Sequence, residues 1–454
     1  MKIVIIGGGK VGSTIAAQLT KEGHDITVVD SGRSTVDQIG NSLDCMSICG
    51  NGVALATMQE AGVADSDLLI ACTAQDEVNL LCCVFARKLG CKSTIARIRT
   101  PEYAEQIYMM KSELGLSMTI NPERNAAREM FRLLEIPSVL KRDTFAKGRI
   151  EIVEVIPKEG DVLDGVRLMD LPKKLKSSVL VGAVERGGEV TIPDGRFTLQ
   201  AGDHVHLCAP AANLVRVLRA VGGYQKKANS VLLIGAGGIA GYLTASLLKA
   251  GTAVKVIEKN PATAAAFAER FPAAQVVCAD GTNETVLREE NAADMDAVVL
   301  LTDIDEENLV LAMYAGGLGV PQLITKMDHS EFGRLVQDPN NRVVSPKKLC
   351  ADAIIRYVRA MQNSGGSAVV TLHHIVDGKA DALEFNVTAA CSGVGKTLRE
   401  IRLKPNILIA CINRMGRIIV PSGDDVLQAG DTVVVITGTD RVILDLNDIF
   451  ADEG

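Results

Sequence analysis

Tryptophan is absent from this 454-residue chain, and aromatic residues make up only 3% of it. Few rings are therefore available for stacking on nucleobases. An excess of positive charge is missing too: the formal net charge is −7, so no basic field would attract a phosphate backbone. Nucleic acid is not an expected partner. Long apolar runs are also lacking. Stretches such as "DAVVLL" at 296–301 have strand length, far short of a bilayer span, so direct membrane insertion is not expected. No basic leader precedes the apolar run that begins at Lys2, and a secretory signal is not expected. Paired CxxC motifs are missing as well. The eleven cysteines lie scattered through patterns such as "LLCCVFARKLGC", which fits reduced thiols packed in an intracellular core and not a metal site.

What is present points to large cores. Hydrophobic residues reach 47% and charged ones 23%, and the length suits two to four compact units. The most informative feature is self-similarity. "VIIGGGKVGSTIAAQL" near the start recurs as "LLIGAGGIAGYLTASL", so that Gly7 maps to Gly235 and Asp30 to Glu258 at an offset of 228. "CGNG" at 49–52 maps to "CADG" at 278–281, "TAQDEVNLL" to "TDIDEENLV", and Arg97 to Lys326, all at offset 229. "IPDGRFTLQAGDHVHL" at 192–207 returns as "VPSGDDVLQAGDTVVV" at 420–435. Chance matches would not hold register across so many motifs, so the chain is a duplication.

Within each half, Val/Ile/Leu-rich strand runs ("KIVII", "DITVVD", "DLLIAC", "STIARI"; then "SVLLIG", "AVKVIE", "AVVLLT", "QLITKM") alternate with helical patterns. That alternation predicts two tandem Rossmann-like, doubly wound parallel sheets, each followed by a small α+β lobe. The expected division is 1–140, 141–225, 229–360 and 366–454, with "GGYQKKANS" at 222–230 as linker. Asn121-Pro122-Glu123 and Ser345-Pro346-Lys347 read as capped helix starts, opening helices that cross between parts or pair with a partner subunit. In each small lobe the Gly-Asp turn of "LQAGD" should lead into an alternating strand.

Gly7, Gly9 and Gly12 follow a strand and open a helix, and Asp30 ends the next strand. Glycine allows the tight turn and close approach of a pyrophosphate, whose charge meets the helix N-terminus. Asp30 would accept from ribose hydroxyls and repel a 2′-phosphate, favouring NAD over NADP. The second copy has Gly235, Gly237 and Ala240 with Glu258, which reads either as a working site or as a pseudo-site kept for architecture. Arg97 and Lys326 fall at strand ends, where they could neutralise a phosphate; Thr73 and Thr302 sit where hydroxyl and backbone could meet a ligand. Asp76 and Glu77, and Asp305 to Glu307, read as helix starts favoured by the dipole. His204 and His206 share a strand face, His373 and His374 point oppositely, and His329 follows Lys326; no acid–base or nucleophile constellation emerges from the six histidines.

Taken together, "GGGKVG", "VVD", "TAQDEVN" and "IAR", then "GAGGIAG", "VIE", "CADGTN", "TDIDEEN" and "ITK", with "LQAGD" in both lobes, resemble the TrkA family. Its chains carry two RCK (regulator of potassium conductance) modules. The resemblance spans nearly the whole chain. It implies a cytoplasmic regulatory subunit, not an enzyme, peripheral to the inner face of the membrane. Such a subunit binds NAD(H), with ATP or ADP as further candidates, and gates an integral membrane potassium transporter. It also implies a homo-oligomer, dimer or tetramer, forming a ring. Carried over by residue, Gly7, Gly8, Gly9, Lys10, Val11 and Gly12 with Asp30, Asn51, Thr73, Ala74 and Arg97 form the first nucleotide site. Gly235, Ala236, Gly237, Gly238, Ile239 and Ala240 with Glu258, Asp280, Thr302 and Lys326 form the second. Asn51 departs from the acidic residue the family places there, which Asp280 keeps. The competing reading is an NAD-dependent oxidoreductase acting on a small carbonyl or hydroxy acid. An assembly protein with purely structural nucleotide sites is a third.

Overall fold

The computed structural model describes residues 1–100, 103, 106, 107, 109–111, 113–135, 142–145, 150–220, 227–328, 341–362, 369–376, 379–438, 443 and 445–451. They form two compact units that interleave along the chain. One joins residues 1–135 with 228–355, the other 136–227 with 356–454.

The first unit holds two parallel sheets. In the first, β1 (Lys2–Ile6), β2 (Asp25–Asp30), β3 (Met46–Cys49), β4 (Leu68–Ala71), β5 (Thr94–Arg97) and β6 (Met118–Ile120) are ordered β3-β2-β1-β4-β5-β6. The helices between them are α1 (Lys10–Lys21), α2 (Arg33–Ser42), α3 (Leu55–Glu60) and α4 (Asp76–Leu89). Helix α5 (Pro122–Glu135) follows, with the Asn121 side chain accepting from the Arg124 N–H at 2.9 Å as its cap. The order reverses between β1 and β4, which creates the crevice where open α/β sheets bind ligands. Four of the six strands stood out in the sequence. The edge strands β3 and β6 did not, because three or four partly exposed residues carry little apolar signal.

Farther along the chain come the second unit's first lobe and the repeat of the parallel sheet. The lobe contributes β7 (Arg142–Phe145), β8 (Ile150–Val155), α6 (Leu171–Leu175), β9 (Leu180–Arg186), β10 (Glu189–Thr191), β11 (His204–Pro210) and α7 (Ala211–Ala220). The repeated sheet is β12 (Ser230–Ile234), β13 (Ala253–Glu258), β14 (Gln275–Cys278), β15 (Ala297–Leu300), β16 (Leu323–Lys326) and β17 (Asn341–Val344), ordered β14-β13-β12-β15-β16-β17. Its helices are α8 (Gly238–Lys249), α9 (Pro261–Arg270), α10 (Glu284–Glu289), α11 (Asp305–Gly317) and α12 (Pro346–Gln362). Helix α5 of the first half packs on the second fold: Ala126, Ala127, Met130 and Leu134 share one buried core with Ile239, Ala240, Leu243 and Leu247 of α8. Of the two roles expected for the first crossover helix, this contact shows the intrachain one.

The second unit repeats an antiparallel five-stranded sheet, ordered β10-β9-β11-β8-β7 in one lobe. In the other, β18 (Val369–Ile375), β19 (Ala380–Asn386), β20 (Ile407–Arg414), β21 (Arg417–Ile419) and β22 (Thr432–Gly438) are ordered β18-β19-β22-β20-β21, the same topology. The strand after "LQAGD" was expected to alternate. Instead, β11 and β22 are buried at five consecutive positions. The cause is that one sheet face covers its own lobe while Ile152, Ala183 and Cys208 on the other meet Ala382, Cys411 and Ile436 of the sister lobe. The aspartate of "LQAGD" does more than turn the chain. Asp203 accepts from Arg186 at 2.7 Å on each oxygen and from the Gln200 N–H at 2.8 Å, and Asp431 repeats this with Arg414 and Gln428.

Candidate functional site

Each glycine loop is shaped by a residue that only glycine suits. Gly7 and Gly235 both sit at φ +103°, and a Cβ on Gly7 would meet the Thr73 N at 2.9 Å. A Cβ on Gly12 would overlap the Gly7 carbonyl, whereas Ala240 at the same place in the second loop carries one and is fully buried. Gly9 and Gly237 precede their helices in extended conformation without a side-chain cap, and a Cβ on either would meet open space. Uncapped helix N–H groups therefore face a cradle with room for an anion.

The acidic residues brace these loops. Asp30 accepts from the Gly8 N–H at 2.7 Å and the Gly32 N–H at 2.8 Å; Glu258 accepts from Ala236 and Asn260, both at 2.8 Å. Each carboxylate keeps lone pairs for a ribose hydroxyl.

A cleft of about 800 Å³ opens between the two folds of the first unit. It gathers Gly7, Gly9, Lys10, Val11, Asp30, Asn51, Thr73, Ala74 and Arg97 from the first half. From the second it takes Gly237, Gly238, Ile239, Ala240 and Lys326, with Leu301, Asp303, Asp328, Pro346 and Lys347 beside them. Gly8, Gly12, Gly235, Ala236, Glu258, Asp280 and Thr302 do not line it. Asp280 turns to its own loop, accepting from the Thr282 N–H and hydroxyl, and these bonds hold its carboxyl below the usual range.

Two expectations change. The hydroxyls of Thr73 and Thr302 were expected to face a ligand. Both donate instead to a buried asparagine, Thr73 to Asn79 at 2.8 Å and Thr302 to Asn308 at 2.9 Å. Each asparagine, fully buried at the start of α4 or α11, also donates to a carbonyl at the end of the next strand, Arg97 at 2.9 Å or Lys326 at 3.0 Å. A buried amide must satisfy all its polar atoms, so it claims the threonine. Likewise Asp76 and Asp305 begin their helices, but their carboxylates are buried and accept backbone N–H groups past β5 and β16: Arg99 and Thr100 for Asp76, Asp328 for Asp305. These clamps went unread in the sequence, although the matched Asn and Asp of "QDEVN" and "IDEEN" were there to signal them.

Arg97 keeps capacity for a ligand. Its Nη1 donates to the Thr73 carbonyl at 3.3 Å, and its buried Nε has no protein acceptor. Lys326 is more committed, donating to the Thr302 carbonyl at 3.1 Å and pairing with exposed Asp303 at 3.3 Å. The Arg99 guanidinium takes the Ala74 carbonyl at 2.6 Å. Open cradle, braced carboxylate and orphaned guanidinium donor fit a dinucleotide at the first site.

Cysteines and histidines add no reactive centre among the described residues. Burial pushes the thiols of Cys72, Cys82, Cys208 and Cys350 up to about 12, which makes them inert at neutral pH. His204 pairs with Glu154 at 2.6 Å, and His206 is buried beside it. His329 and the linker residues 222–226 lie outside the described residues.

The TrkA-N domain matches residues 3–122 and 231–346, and the TrkA-C domain 152–222 and 382–450. The chain is 30% identical over 97% of its length to a Trk system potassium uptake protein TrkA homolog of Archaeoglobus fulgidus, covering 98% of that protein. It is 29% identical over 99% of its length to the Trk system potassium uptake protein TrkA of Halomonas elongata, covering 98% of it. Among solved structures, the GsuK RCK domain has a TM-score of 0.62 at 18% identity, over 97% of this chain and 92% of that one. A GsuK channel bound to NAD has the same TM-score and identity, over 97% and 77%.

Proposed function

The chain belongs to the TrkA family of Trk system potassium uptake proteins, and from that premise we propose that it is a nucleotide-reading regulatory subunit, not a hydride-transfer enzyme. The first cradle binds NAD(H) through Gly7 to Gly12, Asp30, Asn51, the Thr73–Ala74 backbone and Arg97. ATP and ADP compete for the same phosphate end. The subunit works in the cytoplasm, at the inner face of the membrane, as a homo-oligomeric ring against an integral potassium transporter. Residues 1–140 and 229–360 serve as nucleotide modules, and 141–225 and 366–454 as the lobes that relay their movement.

One observation carries this reading. The cleft takes its walls from both halves of the duplication, so a ligand on the first cradle also faces Lys326, Asp328 and Lys347 of the second. A ligand shifts an equilibrium only by binding one arrangement better than another, and a ligand in a seam meets that condition whenever the seam opens or closes. One solved structure of this fold is a channel bound to NAD, which is consistent with the same chemistry here.

The test pairs binding with transport. Asp30→Ala and Arg97→Ala should each weaken NADH binding at least tenfold, and potassium flux through the co-expressed membrane subunit should lose its nucleotide dependence. Flux that still responds to nucleotide in variants that no longer bind it would overturn the proposal. Steady NADH oxidation with a small carbonyl compound would favour the oxidoreductase reading.

A further inference from the structure

The duplication has not kept its two phosphate ends alike. Position 10 in the first loop is lysine, and its counterpart in the second is Gly238, the first residue of α8. The residue after the crossover-helix proline is Glu123 in the first half and Lys347 in the second. All four line the same cleft. Both exchanges remove positive charge from the second phosphate end and leave it at the first.

Glu123 goes further than lining. Its carboxylate lies so close to Gly238 that a Cβ built there would fall on its Oε2. The equivalent position in the first loop is Lys10, whose ammonium turns to Asp328 at 3.3 Å; a Cβ on Gly9 or on its counterpart Gly237 meets open space. The anchorage is firm: Glu123 stands in the first turn of α5, and α5 shares a buried core with α8. A carboxylate is an anion of about the size of one phosphate face, and the start of an uncapped helix is where an anion is favoured. Lys10 pairs with Asp328 at 3.3 Å, and Asp328 corresponds to Arg99, which with Arg97, Asp76 and Lys326 faces Glu123. Arg99, Arg97 and Lys326 attract the Glu123 carboxylate, and Asp76 repels it.

We propose that Glu123 is an intramolecular plug that occupies the phosphate position of the second glycine loop, so that each chain takes a pyrophosphate nucleotide at the first cradle alone. This rests on the reading of the first cradle as an NAD(H) site, and it extends that reading to the specificity of the duplicated one. The second loop is then closed off by the first half's helix α5, whose apolar face packs on α8. Lys347 is the matching cation for a ligand on the first loop.

Calorimetry and NADH fluorescence on the full chain test this. Wild type should bind one NADH per chain, and Glu123→Gln should bind two, or show a second site tightened at least tenfold. Adding Glu258→Ala to Glu123→Gln should remove the gained site. Lys347→Glu, a separate variant, should weaken the first site at least tenfold. Two equivalent NADH per wild-type chain would overturn the plug while leaving the first-cradle reading intact, as would a Glu123→Gln protein that still binds one. No NADH on either protein would overturn both.

Discussion

Gly7 shows how much rests on a single missing Cβ. At φ +103° an L-residue is strained, and the added carbon would press on the Thr73 amide. Gly7→Ala should cost about 2 kcal/mol in chemical denaturation and abolish NADH binding. Glu123 supplies a second prediction at this scale. Burial raises its carboxyl above the usual glutamate range, against the pull of Arg99 and Arg97. A raised folded value favours the protonated form, so this site's stabilisation is full below the unfolded value and is lost as pH rises through the folded one. Glu123→Gln should therefore melt higher than wild type at neutral pH, and the gap should close towards about pH 4, as followed by thermal melts across pH. A gap that widens with acid would contradict this. The glycines, Asp30 and Glu258 were legible as residues because spacing alone constrains them. Glu123 was read only as part of a helix start, since nothing local says which loop its carboxylate will meet.

Among elements, the repeated clamps tie strand ends to helix starts. Asn79 links β4, α4 and β5 through bonds of 2.8 to 3.2 Å with no exposure to solvent. Asn79→Ala would strand the Thr73 N–H and the Arg97 carbonyl, and should cost about 3 kcal/mol while displacing Arg97 from the cleft. Denaturation midpoints and NADH affinity should fall together. In the small lobes, Asp203 and Asp431 are 1% and 2% exposed and each holds an arginine on two bonds. Asp431→Asn leaves Arg414 short of its charge partner and should cost about 3 kcal/mol in denaturant melts. For Asp203, burial alone would raise the carboxyl, but Arg186 and the Gln200 N–H bring it below the ordinary value. Its stabilisation is therefore present above the unfolded value and disappears as pH falls through the folded one. The two parallel sheets were legible because buried parallel strands read as continuous apolar runs. The clamps were not, because a buried Asn and a solvated Asn look alike in sequence.

For the whole molecule, nucleotide should act as a folding ligand for the first unit. NADH at a hundredfold excess over Kd should add about 2.7 kcal/mol to stability and raise Tm, with the rise lost in Asp30→Ala. An unchanged Tm at saturating NADH would argue against a folded-state site. Sequence alone established the duplication, the two parallel sheets and the identity of the glycine loops, because periodicity, glycine spacing and register at a near-constant offset are local and additive signals. Tertiary structure decided what those signals leave open. It paired α5 with α8, buried the small-lobe strands on both faces, turned the threonines towards asparagines and brought one cleft to both glycine loops. Three of these outcomes depend on contacts between residues more than a hundred positions apart, and the threonine bonds on the burial of an asparagine six residues on. The same reason separates the two copies: near-identical motifs meet opposite charges from the other half, Lys347 in the first cradle's cleft and Glu123 at the second loop.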